Sequence, residues 1–398
     1  MKRVVLKNGL TVITKSRPTK SVAIEVSVKV GSNYEKPSQR GISHLLEHMI
    51  FEGTKTRTRK QIADEIESLG AEYNAATSTE RTYFYINIFK RFFNRALEIL
   101  ADIIQNPALD EKAFQKEKKV ILDEINLVND DPKVYQFILF EKTLYKKYPV
   151  KNPIYGNAEA IRKITRQDLM DYYKKYYIPN NMVITVSGLG NGVTKKIEKA
   201  FTFKKKQLKQ IIFPKEPKPK SSRKIEQKNT SHSYISLGYQ TVSRKNKDSY
   251  ILDVIQAILS KGLSSRLFEE IRIKRGLAYD VGAINETNIN YGYFVTYVST
   301  DIKHIPLVKE LLLKELKLNN PTNKEINDAK TYIEGHLNLR LEHNAEMADW
   351  LAAWELVGDI KNAESYLKNI KKVNKKDIQR VVKKYFKNPS YIILKQKS

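Results

Sequence analysis

The sequence predicts an α+β fold made of two similar units, each an antiparallel sheet with helices packed on one face. Three observations carry this expectation. Short stretches alternate in period two, as in Val22, Ile24, Val26, Val28 and Val30, the mark of a strand with one buried face. Longer stretches repeat apolar residues at helical spacing, as between Arg91 and Gln105. The second half also repeats the first at an offset of 206: Tyr73 maps onto Tyr279, Tyr85 onto Tyr291, and His44-Leu45-Leu46-Glu47-His48 onto Tyr250-Ile251-Leu252-Asp253-Val254. The apolar spine survives in the second copy while the histidines are lost, so only the first unit is expected to hold a metal. A chain of 398 residues suits two domains of about 200 residues each. Segment 206–224, rich in lysine and carrying Pro214, Pro217 and Pro219, reads as a semi-extended linker between domains at 1–205 and 225–398.

The elements follow in order. Asn8-Gly9 is a tight-hairpin signal between two β-rich segments. Ser21 to Val30 is a third strand, and Gly41 to Phe51 a helix. Thr58-x-x-Gln61 is a capping box opening a helix that runs through Leu69 and stops at Gly70. Ala71 to Ala76 and Thr82 to Phe89 read as paired strands. Arg91 to Gln105 forms an amphipathic helix ended before Pro107. A long helix over Asp110 to Val128 carries Glu117 and Glu124 on one face, two turns apart, bordering Ile121, Ile125 and Val128. Asp131-Pro132 begins a helix through Leu144; a helix near Arg166 to Tyr177 and a strand from Met182 to Ser187 close the first half. Trp350 and Trp354, four apart in a helical stretch, read as packing residues.

Composition narrows the function classes. Hydrophobic residues make up 41% of the chain, enough for real cores, and no run reaches the ~18 apolar residues of a membrane span. The N-terminal stretch reads as strand and turn rather than as a signal peptide, so a cytoplasmic protein is expected. With no cysteine, a metal site must use histidine and carboxylate. The net charge of +27 is spread along the chain with no nucleic-acid-binding motif around it, which favours a solvated lysine-rich surface; neither nucleic acid nor membrane is expected as a partner.

The chemistry concentrates in one turn of helix. His44 and His48, two of only six histidines, lie one above the other at a spacing of four. Glu47 precedes His48 and can reach the same patch. The setting is apolar (Leu45, Leu46, Met49, Ile50, Phe51), where two imidazoles and a carboxylate are costly to bury without a partner. Such a convergence suits a zinc ion with an activated water.

These residues resemble the pitrilysin or insulinase-like inverted zinc peptidases, marked by His-x-x-Glu-His, and within them the small two-domain subgroup that includes mitochondrial processing peptidase subunits. The resemblance extends through Leu69 to Thr77, Phe114 to Ile125, Asn152 to Gly156, Tyr177 to Met182, Leu263 to Leu267, and Arg272 through Tyr279. It implies that His44, His48 and Glu124 bind one Zn2+ per chain, with Glu47 as general base and Glu117 as a supporting carboxylate. It further implies that Arg272 and Tyr279 contact substrate and transition state. Asn74, Ala75, Ala76 and Thr77 match the family's edge strand, which could pair with an extended peptide. The implied activity is zinc-dependent endopeptidase cleavage of unstructured or short peptides; the alternative is a catalytically silent scaffold or regulatory subunit. Large relatives carry four such units in one chain, so two chains are expected to complete a closed chamber, as a homodimer or a heterodimer. Lys147 departs from the histidine many relatives carry nearby, and the basic balance departs from a chamber built for basic presequences.

Overall fold

The computed structural model describes residues 1–208, 211–217 and 219–397. Within the expected linker, positions 209, 210 and 218 lie outside the described residues, as does position 398 of the expected second domain. The chain forms two compact units. One gathers Met1–Leu127, Asn152–Phe213 and Arg340–Ile360; the other gathers Val128–Lys151, Pro214–Leu339 and Lys361–Ser398. Each unit therefore includes a segment from the other half of the sequence, which a single boundary at 206–224 does not describe.

In the first unit, β1 (Lys2–Val5) and β2 (Thr11–Ser16) form the hairpin around Gly9. Gly9 takes a φ of 94°, a conformation costly for any residue with a Cβ. With β3 (Ser21–Val28), β4 (Glu72–Thr77), β5 (Thr82–Phe89) and β6 (Met182–Gly188) they make a sheet of order β1-β2-β6-β3-β5-β4. The sheet is antiparallel except where β6 returns parallel to β2, a long-range pairing that local alternation does not reveal. On one face, Val22, Ile24, Val26 and Val28 are fully buried. They pack in one core with α1 (Ile42–Phe51), α2 (Arg59–Glu67), α3 (Phe93–Gln105) and α4 (Glu111–Asp130). Thr58 and Gln61 cap α2 reciprocally, at 3.2 and 2.9 Å.

The second face of this sheet is where the expectation of helices on one side gives way. Ala23, Glu25 and Ser27 of β3 and Thr185 and Ser187 of β6 read as solvent-facing, yet each is at most 1% exposed. The helix Asn344–Val357 covers them. Asn344 Nδ2 donates to the Ser21 carbonyl (3.0 Å) and its Oδ1 accepts from Ser187 Oγ (2.9 Å). Arg81 pairs with Asp349 and sits 3.7 Å from Glu25, which also accepts from Ser27 Oγ at 2.7 Å. Burial pushes the Glu25 carboxyl up to about 8 against the pull of Arg81.

The second unit repeats the design. Strands β7 (Arg223–Lys228), β8 (Ser233–Gln240), β9 (Ala278–Thr287), β10 (Gly292–Thr300) and β11 (Ser390–Gln396) are ordered β7-β11-β8-β10-β9. This is the order of the first sheet without β1, again with one parallel pair, β11 with β7. Here α5 (Pro132–Leu144), N-capped by Asp131, covers β8 and β11, and Ser236 Oγ donates to Gln136 Oε1 at 3.0 Å. The loan of a helix is thus reciprocal. Tyr73 and Tyr279 occupy matching strands, β4 and β9, whereas Tyr291 lies just before β10 while Tyr85 is inside β5; the constant offset breaks at that loop. No described helix is long and apolar enough to cross a membrane.

Candidate metal centre

The amphipathic pattern of α1 decides which side chains reach the site. Ile42, Leu45, Leu46, Met49 and Ile50 are buried in the core, which turns His44, Glu47, His48 and Phe51 toward α4 and β4. The N-cap, Gly41, adopts a φ of 95° and supplies no side-chain cap. A Cβ there would approach the Tyr155 carbonyl oxygen to 2.6 Å. The amides of Gly41 and Ser43 instead donate to the Glu35 carboxylate, both at 2.9 Å. Burial pushes Glu35 up to about 7, although these amide bonds oppose it. Ser43 Oγ is bonded to Tyr172 OH at 2.8 Å.

The two imidazoles meet edge to face, with centroids 4.7 Å apart. Helix α4 brings Glu124 opposite them, its Oε2 3.7 Å from His44 Nε2 and its Oε1 3.8 Å from His48 Nε2. One ligand atom from each of the three lies within 4.8 Å of the others. His48 Nδ1 is bonded to Glu117 Oε2 at 3.0 Å, which aims Nε2 at Glu124; a carboxylate so placed can fix the orientation of a candidate ligand. Burial and the neighbouring His48 push His44 down to about 3, so it stays neutral. Burial also opposes charge on His48, but Glu117, Glu124 and Glu47 raise it overall.

Two imidazole nitrogens and a carboxylate oxygen are ordinary zinc donors. Glu124 Oε2 supplies a direct test of fit: it is buried and lacks a hydrogen-bond partner among the described residues. Such an orphan costs about 1–3 kcal/mol unless a cation meets it. The residues present fit the ion.

Glu47 lies on the same turn. Its Oε2 accepts from Thr77 Oγ1 at 2.6 Å, tying the base candidate to the end of β4. Burial raises its carboxyl, and Thr77 opposes the rise. Strand β4 is the edge of the sheet. Asn74 and Ala75 line a cleft of about 570 Å³ that also meets Glu47, His48, Phe51 and Tyr73; Ala76 and Thr77 continue the strand. Arg272 and Tyr279 belong to the second unit, where they meet each other: Arg272 Nη1 donates to the Tyr279 carbonyl at 3.0 Å, and its guanidinium lies 4.8 Å from the Tyr279 ring. Tyr279 is 78% exposed. Trp350 and Trp354 pack edge to face, 5.8 Å apart.

Two residues at the centre escaped the sequence reading. Tyr155 sets its ring edge-on to His44, centroids 4.9 Å apart, and burial, Glu124 and Glu47 all raise its hydroxyl. Its signal was present, since Asn152–Gly156 matched a family segment, but nothing tied it to His44. Glu35 left only the faint signal of a lone carboxylate six residues before a glycine N-cap.

Comparison with known proteins gives a consistent result. The chain matches the family model for insulinase, peptidase family M16, over residues 11–158 and that for the peptidase M16 inactive domain over residues 163–333. An uncharacterized zinc protease of Rickettsia bellii is 34% identical over 388 residues, 96% of this chain and 94% of the relative. Another, from Bacillus subtilis, is 30% identical over 97% of this chain and 96% of its own length. A protease from Helicobacter pylori superposes with a TM-score of 0.94 at 26% identity, covering 99% of both chains. A Pseudomonas fluorescens structure described as a peptidase M16 inactive domain shares the fold, with a TM-score of 0.91 at 20% identity over 100% of this chain and 98% of that one.

Proposed function

The chain belongs to the M16 (insulinase) peptidase family, and from that premise we propose that it is a zinc-dependent endopeptidase acting on extended, unstructured peptides. The observation that carries the reading is the convergence of His44, His48 and Glu124 within ligand range of one another, with Glu47 on the same turn and bonded to an edge strand. Zinc held there supplies a Lewis acid for a peptide carbonyl and makes water a stronger acid. Glu117 keeps His48 in the tautomer whose Nε2 faces Glu124. Thr77 orients the Glu47 carboxylate, which takes a proton from the attacking water and passes it to the leaving amine. The outer edge of β4, from Asn74 to Thr77, offers backbone groups to an extended peptide and lays its carbonyl beside Glu47. Recognition through backbone favours conformation over sequence, which suits unfolded substrates.

Arg272 and Tyr279 enter the proposal as contacts to the substrate carbonyl and the developing oxyanion. The supporting observation is an exposed tyrosine with its arginine held in place. The assembly we propose is a homodimer in which this pair serves the partner chain's site. Mixing Glu47→Gln and Tyr279→Phe chains should then restore part of the activity that each lacks; a mixed dimer without rescue would refute that arrangement. For the activity itself, zinc per chain and cleavage of a quenched unstructured peptide, with and without chelator, are the test. Bound zinc with no cleavage of any peptide would leave a silent scaffold instead.

A further inference from the structure

The buried Glu35 carboxylate has no part in the proposed chemistry, yet it holds the helix on which that chemistry stands. At 5% exposed, it accepts from the amides of Gly41 and Ser43, both at 2.9 Å. These are the N-cap and second residues of α1, and His44 follows immediately. The need for so distant a cap comes from Gly41 itself. Its left-handed φ and the closeness of the Tyr155 carbonyl exclude a side chain, and that close approach is what seats Tyr155 against His44. The local cap is thus given up to admit Tyr155.

The matching helix of the second unit, Asp248–Ser260, has no such constraint. There Asn246 Oδ1 accepts from the Asp248 amide at 2.9 Å, a neutral cap two residues away. The helix that carries the candidate ligands has its first amides held by a carboxylate from six residues upstream; the matching helix meets the amide of its first residue with the neutral Asn246 and carries its carboxylate, Asp248, within its own first turn. A negative group at a helix N-terminus also favours the helical dipole in the turn that carries His44.

We propose that Glu35 is a positioning residue for metal binding, fixing the first turn of α1 so that His44 and His48 stand at the separation Glu124 requires. The inference rests on the zinc-site reading but not on proteolysis, and its test needs no substrate. Zinc affinity of the full chain is measured by competition with a chromophoric chelator, alongside thermal unfolding, for the wild type, Glu35→Ala, Glu35→Gln and Asn246→Ala. Glu35→Ala is expected to weaken zinc binding by about 10-fold to 100-fold, the range for residues that orient ligands. Glu35→Gln, which keeps an acceptor oxygen, should recover part of that loss. Asn246→Ala should lower the melting temperature yet leave zinc affinity at the wild-type value, because its helix holds no ligand. Equal affinity in the wild type and both Glu35 variants would overturn the inference, as would an equal loss in Asn246→Ala. Should Glu35→Ala not fold, Glu35→Gln decides alone: unchanged affinity refutes the role. A wild type that takes up no zinc would instead sink the zinc-site reading itself.

Discussion

α1 and the helix Asp248–Ser260 hold the same place in their units, between the third-strand and fourth-strand equivalents, and each carries a carboxylate at the same point of the repeat. In the second unit that carboxylate is Asp253. Arg244 meets it with two donors at 2.6 and 3.3 Å, Asn285 Nδ2 at 2.8 Å and Tyr366 OH at 2.9 Å. In the first unit it is Glu47, whose donors among the described residues come from Thr77 alone, through its hydroxyl and its amide. One carboxylate meets donors from three separate side chains, and the other from a single residue. A group that must exchange protons cannot spend all its lone pairs on the scaffold, whereas a group that only stabilises gains from every donor it meets.

The sharpest way to break this contrast is to neutralise each carboxylate in turn. Glu47→Gln should cut kcat on an unstructured peptide by about 10²-fold to 10⁴-fold, the usual share of a general base, while zinc content and melting temperature hold. Next in size is Glu117→Ala, which frees His48 Nδ1 and should weaken zinc binding by about 10-fold to 100-fold, read by chelator competition. Asp253→Asn should do the reverse of Glu47→Gln. It leaves Arg244 buried beside a neutral amide and should cost about 3 kcal/mol of stability in denaturant unfolding, with zinc affinity unchanged. An Asp253→Asn chain that kept its stability but lost zinc would erase the distinction.

The smallest expected effect separates the polar faces of the two sheets. Glu25 lies near Arg81, whereas Glu141 of α5 accepts from Tyr293 OH at 2.9 Å. Burial lifts Glu141 to about 8, and Glu286 adds to the rise while Tyr293 opposes it. The folded chain therefore keeps a proton that the unfolded chain releases, so stability falls as pH rises from about 4.3 toward 8. Glu141→Gln should remove the share of that slope that Glu141 contributes, leaving the shares of Glu25 and Glu35. It is expected to raise the melting temperature at pH 8, by about 2–4 °C for each kcal/mol recovered, and to leave it nearly unchanged at pH 4.

Local chemistry was legible in the sequence. The Asn8-Gly9 hairpin, the Thr58–Gln61 capping box and the helix carrying His44, Glu47 and His48 depend on residues a few positions apart, and the structure contains each of them. Glu124 was also marked, because Ile121 and Ile125 place its helix against a core. What stayed hidden depends on distant partners. The alternation of Ala23, Glu25 and Ser27 with valines and isoleucine looks the same whether the polar side meets water or a polar helix. Nothing near Asp253 announces Tyr366, and nothing near His44 announces Tyr155. The parallel return of β6 beside β2 is likewise set by topology rather than by any local pattern.

The exchanged helices impose an order on the making of this protein. A ribosome that has just released Gly188 has supplied every strand of the first sheet, but Glu25 and Arg81 still lack the cover of Asn344–Val357. Until translation passes Val357, the half bearing the candidate ligands stands unroofed, and a nascent chain stalled after residue 205 would display that ionisable surface to solvent. Completion of the half with the candidate metal site waits on a helix encoded in the other.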